Sequence, residues 1–205
     1  MSDKSLSQEK INNLILLYKK GLIKEALVEA EQLIENNPNS FFLHNIHGMI
    51  NMNLKKWNKS IESFSKAIEI KQDYAEAHNN LGVALNNLAH LEKAIESYSN
   101  AIKFKPDYAN AHNNLGSVFN DLGRWEEALE SYSKALEYNP EDNEAYENLI
   151  KLLTFYKPKR ANSNSIVIAN QELQNIKYNY NSNKKITDNE ISNFFKKYNK
   201  IILKN

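Results

Sequence analysis

An internal repeat of 34 residues is the feature that most constrains how this chain can fold. Residues 75–108 read AEAHNNLGVALNNLAHLEKAIESYSNAIKFKPDY, and residues 109–142 read ANAHNNLGSVFNDLGRWEEALESYSKALEYNPED. The two blocks align without gaps, and about half of their positions are identical. A repeat of this length indicates one supersecondary unit stacked several times, because a single copy is too small to bury its apolar residues alone.

Each block contains two stretches with helical periodicity. In residues 75–108 the apolar and amphipathic side chains recur three or four positions apart in each half: His78, Leu81, Leu85 and Leu88, then Leu91, Ala94, Ile95, Tyr98, Ala101 and Ile102. This spacing places them on one face of each of two helices. Gly21 and Gly123 fall between the two helices of a repeat, where a positive φ favours glycine. The repeat is therefore predicted to be a helix pair.

The pattern of small and large residues resembles that of the tetratricopeptide repeat (TPR) family. Counted from residue 7 in steps of 34, position 8 is glycine in three copies, position 20 is small, position 24 becomes aromatic and position 32 is mostly proline. The residues are Gly48, Gly82 and Gly116; Ala26, Ser60, Ala94 and Ala128; Ala30, Phe64, Tyr98 and Tyr132; and Pro38, Gln72, Pro106 and Pro140. The resemblance implies an all-α fold: a right-handed superhelical TPR solenoid of antiparallel helix pairs with C-terminal capping helices. Position 8 is expected to be where the two helices of a repeat touch.

These registers give the expected domain organisation. The TPR array covers 7–156, with repeats 7–40, 41–74, 75–108 and 109–142 and a capping helix 143–156. A polar break at 157–164 is followed by a helical cap or tail at 165–205, with helices expected to begin at Ser165 and Thr187. The last helix is basic opposite an apolar stripe, and residues 157–205 hold ten basic and three acidic residues. Docking onto the array is the main expectation for this tail, and an anionic membrane or an acidic partner is the alternative.

Composition excludes several classes of function. The chain has no cysteine and a net charge of +1, so thiol chemistry, cysteine-bound zinc and a globally basic nucleic-acid surface are excluded. No phosphate-binding loop, zinc-protease motif or nucleophile elbow is present in the sequence. His44, His78 and His112 share one repeat position, and they are expected to pack between helices rather than to hold a metal. We therefore expect no enzymatic activity, no cofactor and no metal. With a polar N-terminus and no long apolar run, we expect a cytoplasmic location.

The candidate site is the inner wall that the TPR resemblance assigns to positions 2, 5, 6, 9, 12 and 13 of each first helix. The candidate residues are Asn12, Phe42, Asn45, Met49, Asn79, Asn80, Asn86, Asn87, Asn110, Asn113, Asn114, Ser117, Asn120 and Asn148. Asparagine recurs at position 6 in all copies but the second, which has Ile46. This resembles the asparagine ladder of O-linked N-acetylglucosamine transferases. An amide can pair with both the N–H and the C=O of a peptide backbone. General asparagine enrichment, 32 of 205 residues, is the alternative explanation.

The second repeat departs from the others on this wall. Phe42, Ile46, Met49 and Met52 make its inner positions apolar, which suggests either an adaptable side-chain pocket or a surface covered by Met1–Leu6 or another subunit. The basic residues of the TPR dicarboxylate clamp are missing from positions 2, 5 and 6, so a terminal carboxylate is not the expected ligand. Asn80→Ala and Asn114→Ala are expected to weaken binding and leave the fold nearly intact.

The predicted function is a protein- or peptide-binding scaffold that holds an extended segment in its concave groove. One alternative is the substrate-recognition module of a larger or truncated transferase or oxygenase. The other alternative is a membrane-surface adaptor that uses the basic C-terminal helix. The expected partner is another protein or an extended peptide, with no nucleic acid, and oligomerisation is left open.

Overall fold

A computed structural model describes residues 8–155, with side chains described through residue 152. The leader Met1–Leu6, the break at 157–164 and the two helices expected from Ser165 and Thr187 lie outside these residues. The described part is helical throughout its regular structure. Its helices are α1 Gln8–Lys19, α2 Ile23–Asn36, α3 Phe41–Asn53, α4 Trp57–Ile70, α5 Ala75–Asn87, α6 Leu91–Phe104, α7 Ala109–Asp121, α8 Trp125–Tyr138 and α9 Asn143–Phe155. The all-α prediction is confirmed.

The chain divides into two compact units, one ending at Pro106 and the other beginning at Asp107. In the first unit consecutive helices pack from α1 to α6, and α3 also contacts α5. In the second unit α7 packs on α8, α8 on α9, and α7 also contacts α9. In each unit one first helix, α3 or α7, thus contacts both its own partner and the first helix of the next repeat. This is the packing of stacked helix pairs that the repeat predicts.

Close contact at position 8 holds each of three helix pairs together. A Cβ atom added to Gly82 would lie 2.6 Å from the ring of Tyr98, and one added to Gly116 would lie 2.8 Å from the ring of Tyr132. Both tyrosine side chains are buried, and Phe64 takes the same place against Gly48. The expected contact at position 8 is confirmed, and its cause is an aromatic ring seated directly on the glycine backbone.

The turn inside each repeat has one residue with a left-handed backbone conformation, and this residue is glycine in only two of the four repeats. Gly21 has φ of 74° and Gly123 has φ of 69°, as expected. The equivalent residues Lys55 and Ala89 adopt φ of 56° and 57° although each carries a Cβ atom. This conformation costs an L-residue about 1–2 kcal/mol, so packing of the flanking helices imposes the turn even where the sequence opposes it.

Candidate functional site

In the first unit, an asparagine pair joins α3 to α5 on the inner wall. Asn80 Nδ2 donates to Asn45 Oδ1 at 3.1 Å. Asn45 in turn donates from its own Nδ2 to Tyr74 Oη at 3.4 Å and to Met49 Sδ at 3.8 Å. Asn79 Nδ2 donates to Asn80 Oδ1 at 3.4 Å, within α5. The two amides therefore form a connected network rather than two independent groove residues.

The second unit repeats the same pair. Asn148 Nδ2 on α9 donates to Asn113 Oδ1 on α7 at 3.1 Å, across the same separation of 35 residues in sequence. Asn148 Nδ2 also lies 3.5 Å from Ser117 Oγ, which accepts a hydrogen bond from Tyr132 Oη at 3.3 Å. In both units, position 5 of one repeat accepts from position 6 of the next. The pair is thus a recurrent contact between successive repeats, and it is present in each unit.

Burial separates positions 5 and 6, which the sequence treats as equivalent. The position-5 amides Asn45, Asn79 and Asn113 are buried, between 3% and 6% exposed. Partly exposed are Phe42, Met49, Asn80, Asn86, Asn114, Ser117 and Asn148, and exposed are Asn12, Asn87, Asn110 and Asn120. The position-6 amides are therefore accessible from solvent, whereas the position-5 amides are enclosed.

Two exposed candidates bond within their own helices. Asn12 Oδ1 accepts from Gln8 Nε2 at 3.0 Å, and Asn87 Nδ2 donates to the backbone oxygen of Val83 at 2.9 Å. These bonds occupy only part of what each amide can donate or accept. Both residues keep hydrogen-bonding capacity toward solvent or a ligand.

The apolar inner positions of the second repeat are largely buried rather than exposed to solvent. Ile46 is buried, Met49 and Met52 are half-buried, and Phe42 packs against the N-terminal core cluster that contains Leu14 and Leu43. The sequence could not show this enclosure, because it depends on α1 and α2 meeting α3. Phe42 contributes to the core of the first unit as well as to its inner wall.

Tyr74 contacts the candidate site although no sequence argument selected it. Its hydroxyl accepts from Asn45, and its ring meets Phe41 edge-on with ring centroids 5.0 Å apart. Burial raises the pKa of Tyr74, Glu76 adds to the rise, and the hydrogen bond with Asn45 opposes it. Tyrosine recurs at the last position of the second and third repeats, as Tyr74 and Tyr108, and that recurrence was the available signal.

The recurrent histidines pack between helices, as expected. His78 Nε2 donates to the backbone oxygen of Gln72 at 2.9 Å, and its ring lies 5.4 Å from the ring of Phe104. His44 Nε2 makes the same bond to the oxygen of Pro38 at 2.8 Å. Within the part of the chain that the structure describes, no cluster of three histidine, aspartate or glutamate side chains could hold a metal ion. The predicted absence of a metal and of a cofactor stays a prediction.

Helix length bears on the question of a membrane span. No helix within residues 8–155 is both long enough and apolar enough to cross a bilayer.

The packing described above defines a repeat protein built from stacked TPR-type helix pairs. A tetratricopeptide repeat model matches residues 109–142, and a TPR repeat model matches residues 48–88 and 90–120. Residues 48–88 and 90–142 are thus tetratricopeptide repeats. No curated protein sequence matches it.

Solved structures share the fold at low sequence identity. A crystal structure of MamA is 22% identical, with 88% of this chain and 89% of that chain covered and a TM-score of 0.62. PilF of Pseudomonas aeruginosa is 21% identical, with 71% and 67% covered and a TM-score of 0.67. The first TPR domain of Spaghetti (RPAP3), solved with the HSP90 peptide SRMEEVD, is 21% identical, with 56% and 90% covered and a TM-score of 0.54. The matched tetratricopeptide repeats support a protein-interaction scaffold, whereas these structural likenesses show the shared fold alone.

Proposed function

We propose that each unit binds an extended peptide segment along its inner wall, with the position-6 amides Asn80 and Asn148 as its main polar contacts. The observation that carries this proposal is the recurrence of the same amide pair, at 3.1 Å, in both units. A sequence that merely accumulates asparagine has no reason to pair positions 5 and 6 across successive repeats in this way.

The remaining hydrogen-bonding capacity of the pair suits a peptide backbone. A side-chain amide has two N–H donors and two acceptor lone pairs. Asn80 uses one N–H on Asn45 and accepts one bond from Asn79, which leaves one donor and one acceptor site. Because every peptide unit of a bound segment also carries one donor and one acceptor, a single oriented amide can satisfy both.

Position 5 acts as the orienting residue in this arrangement. Asn45 and Asn113 are almost fully buried, so their oxygen atoms are held in place and fix the partner amides. An amide held by a neighbour loses less conformational freedom on binding than a free one. The partner's side chains contribute less to such recognition than its main chain, which predicts broad sequence tolerance.

The structure also revises the expected effect of single substitutions. Asn80→Ala removes the donor to Asn45 Oδ1, an acceptor on a side chain that is 5% exposed. A buried polar group left without its partner costs about 1–3 kcal/mol, so Asn80→Ala should weaken the fold as well as binding. The expectation of a nearly intact fold is therefore replaced for this residue.

Replacing both partners separates binding from stability. Asn45→Leu with Asn80→Leu, or Asn113→Leu with Asn148→Leu, removes donor and acceptor together, which is close to neutral for stability. Peptides recovered from a random-sequence phage-display library on the parent chain should bind each double variant about 5-fold or more weakly, since one lost hydrogen bond is worth about 1 kcal/mol. The control is Asn58→Ala, at an exposed position on α4. If both double variants keep the parent's affinity, or if the library yields no binding peptide, the proposal is wrong.

Catalysis is not part of this proposal, and a cytoplasmic location remains the expectation from the sequence. The alternative of a membrane-surface adaptor depends on the basic C-terminal helix, which lies outside the described residues.

A further inference from the structure

The second repeat contains a polar pair where the third and fourth repeats have apolar residues. His47 and Asn51 occupy positions 7 and 11 of the repeat. The third repeat has Leu81 and Leu85 there, and the fourth has Leu115 and Phe119. Asn51 is 1% exposed, and His47 is partly buried between α3 and α4. A buried amide and imidazole at core positions must satisfy each other, because unpaired polar groups are costly there.

The contacts fix the direction of every hydrogen bond in this network. Asn51 Nδ2 donates to the backbone oxygen of His47 at 2.9 Å and lies 3.1 Å from His47 Nε2. An amide nitrogen only donates, so Nε2 is the acceptor and Nδ1 carries the proton. Nδ1–H then donates to Ser63 Oγ at 2.8 Å, and Ser63 donates to the backbone oxygen of Lys59 at 2.7 Å.

We propose that this network is a proton-sensitive junction between α3 and α4: neutral His47 completes it, and protonation at Nε2 removes the bond from Asn51. A protonated His47 Nε2 would be a hydrogen-bond donor facing a second donor, the amide nitrogen of Asn51. Rotation of the Asn51 amide does not relieve this conflict, because it would put the amide oxygen against the backbone oxygen of His47. The junction is independent of the inner wall, since Asn45 faces α5 from the other side of α3.

The charges around His47 support a preference for the neutral ring. His47 borders a cleft of about 660 Å³, whose titratable side chains are Glu31 and Glu35 from α2, His44 from α3, and Lys59, Glu62, Lys66 and Glu69 from α4. Burial is the main cause that lowers the pKa of His47. The neighbouring charges of His44 and Lys59 lower this pKa further, and Glu31, at 3.8 Å, opposes the shift. A lowered folded-state pKa means that the stabilisation is fully present above the ordinary histidine pKa of about 6.5 and is lost as the pH falls below it.

The test compares urea unfolding at pH 7.5 and pH 5.5, on either side of the ordinary histidine pKa of about 6.5. The urea midpoint of the parent should fall on acidification. His47→Leu with Asn51→Leu restores the apolar pair of the third repeat and leaves the bond from Ser63 to Lys59 in place. The midpoint of this double variant should fall less. His90→Gln is the control, at an exposed position before α6, and its urea midpoint should fall as much as that of the parent.

A spectroscopic measurement on the parent chain keeps the proposal testable if the double variant unfolds. Imidazole ¹⁵N chemical shifts at pH 7.5 should show the Nδ1–H tautomer for His47. They should show the Nε2–H tautomer for His78, which donates to a backbone carbonyl. An Nε2–H tautomer at His47, or an unchanged pH dependence in the double variant, overturns the proposal.

Discussion

Replacing Gly82 by alanine should destabilise the chain, although alanine is the better helix former. The new Cβ atom would lie 2.6 and 2.7 Å from two ring carbons of Tyr98, whose side chain is 1% exposed and cannot move aside. Alanine gains about 1 kcal/mol of helix propensity over glycine. Overpacking a core costs about 1–3 kcal/mol, and two such contacts place the cost at the upper end of that range. The net loss should be about 1–2 kcal/mol.

A double-mutant cycle with Tyr98→Ala isolates the cause. Removing the ring empties the space above residue 82, so Gly82→Ala in that background should stabilise by up to about 1 kcal/mol from propensity alone. Urea unfolding of the four proteins measures both steps. A destabilisation that stays the same with and without the Tyr98 ring would refute the contact as its cause. Gly116→Ala against Tyr132 gives the same cycle in the second unit.

Three further predictions concern the turns, a helix cap and alkaline stability. Ala89→Gly should raise the melting temperature, because relief of the left-handed strain (about 1–2 kcal/mol) exceeds the added unfolded-state entropy (about 0.4–1 kcal/mol); a lower melting temperature would contradict this. Asp142→Ala should cost about 1 kcal/mol in urea unfolding, since its Oδ1 accepts from two backbone N–H groups at the start of α9, whereas Asp142→Asn should cost less. Burial raises the pKa of Tyr98, so the free energy of unfolding should decline as the pH rises above the ordinary tyrosine pKa of about 10. Tyr98→Phe should make this decline smaller.

Much of the fold could be predicted because the same small and large residues recur at the same positions of successive 34-residue repeats. The sequence already shows glycine at positions 82 and 116 and tyrosine at positions 98 and 132 as recurrent residues. The structure places Gly82 against Tyr98 and Gly116 against Tyr132. The period therefore predicted both the helix pairs and where they touch. The recurrence of asparagine at position 6 likewise pointed to the amides that the structure leaves partly exposed.

The rest depended on packing between repeats, which a single sequence does not display. Nothing in the sequence distinguishes buried Asn45 from half-exposed Asn80, because only the contact between α3 and α5 separates their environments. Lys55 and Ala89 show no glycine signal, yet the flanking helices impose the left-handed turn on both. The partners of His47 are Asn51 and Ser63, which a repeat alignment read for polar exceptions could have found.

The central claim is that Asn80 and Asn148 recognise the main chain of an extended segment, and N-methylation of a bound peptide tests it most directly. A display-selected peptide is synthesised with each backbone nitrogen methylated in turn, and binding is measured by isothermal titration calorimetry. The account predicts that methylation at one or two residues weakens binding to the parent by about 5-fold or more per lost hydrogen bond, and that the double variant of the contacting pair is insensitive to the same methylation. If every methylated peptide binds the parent as tightly as the unmodified one, the inner-wall amides do not recognise backbone N–H groups.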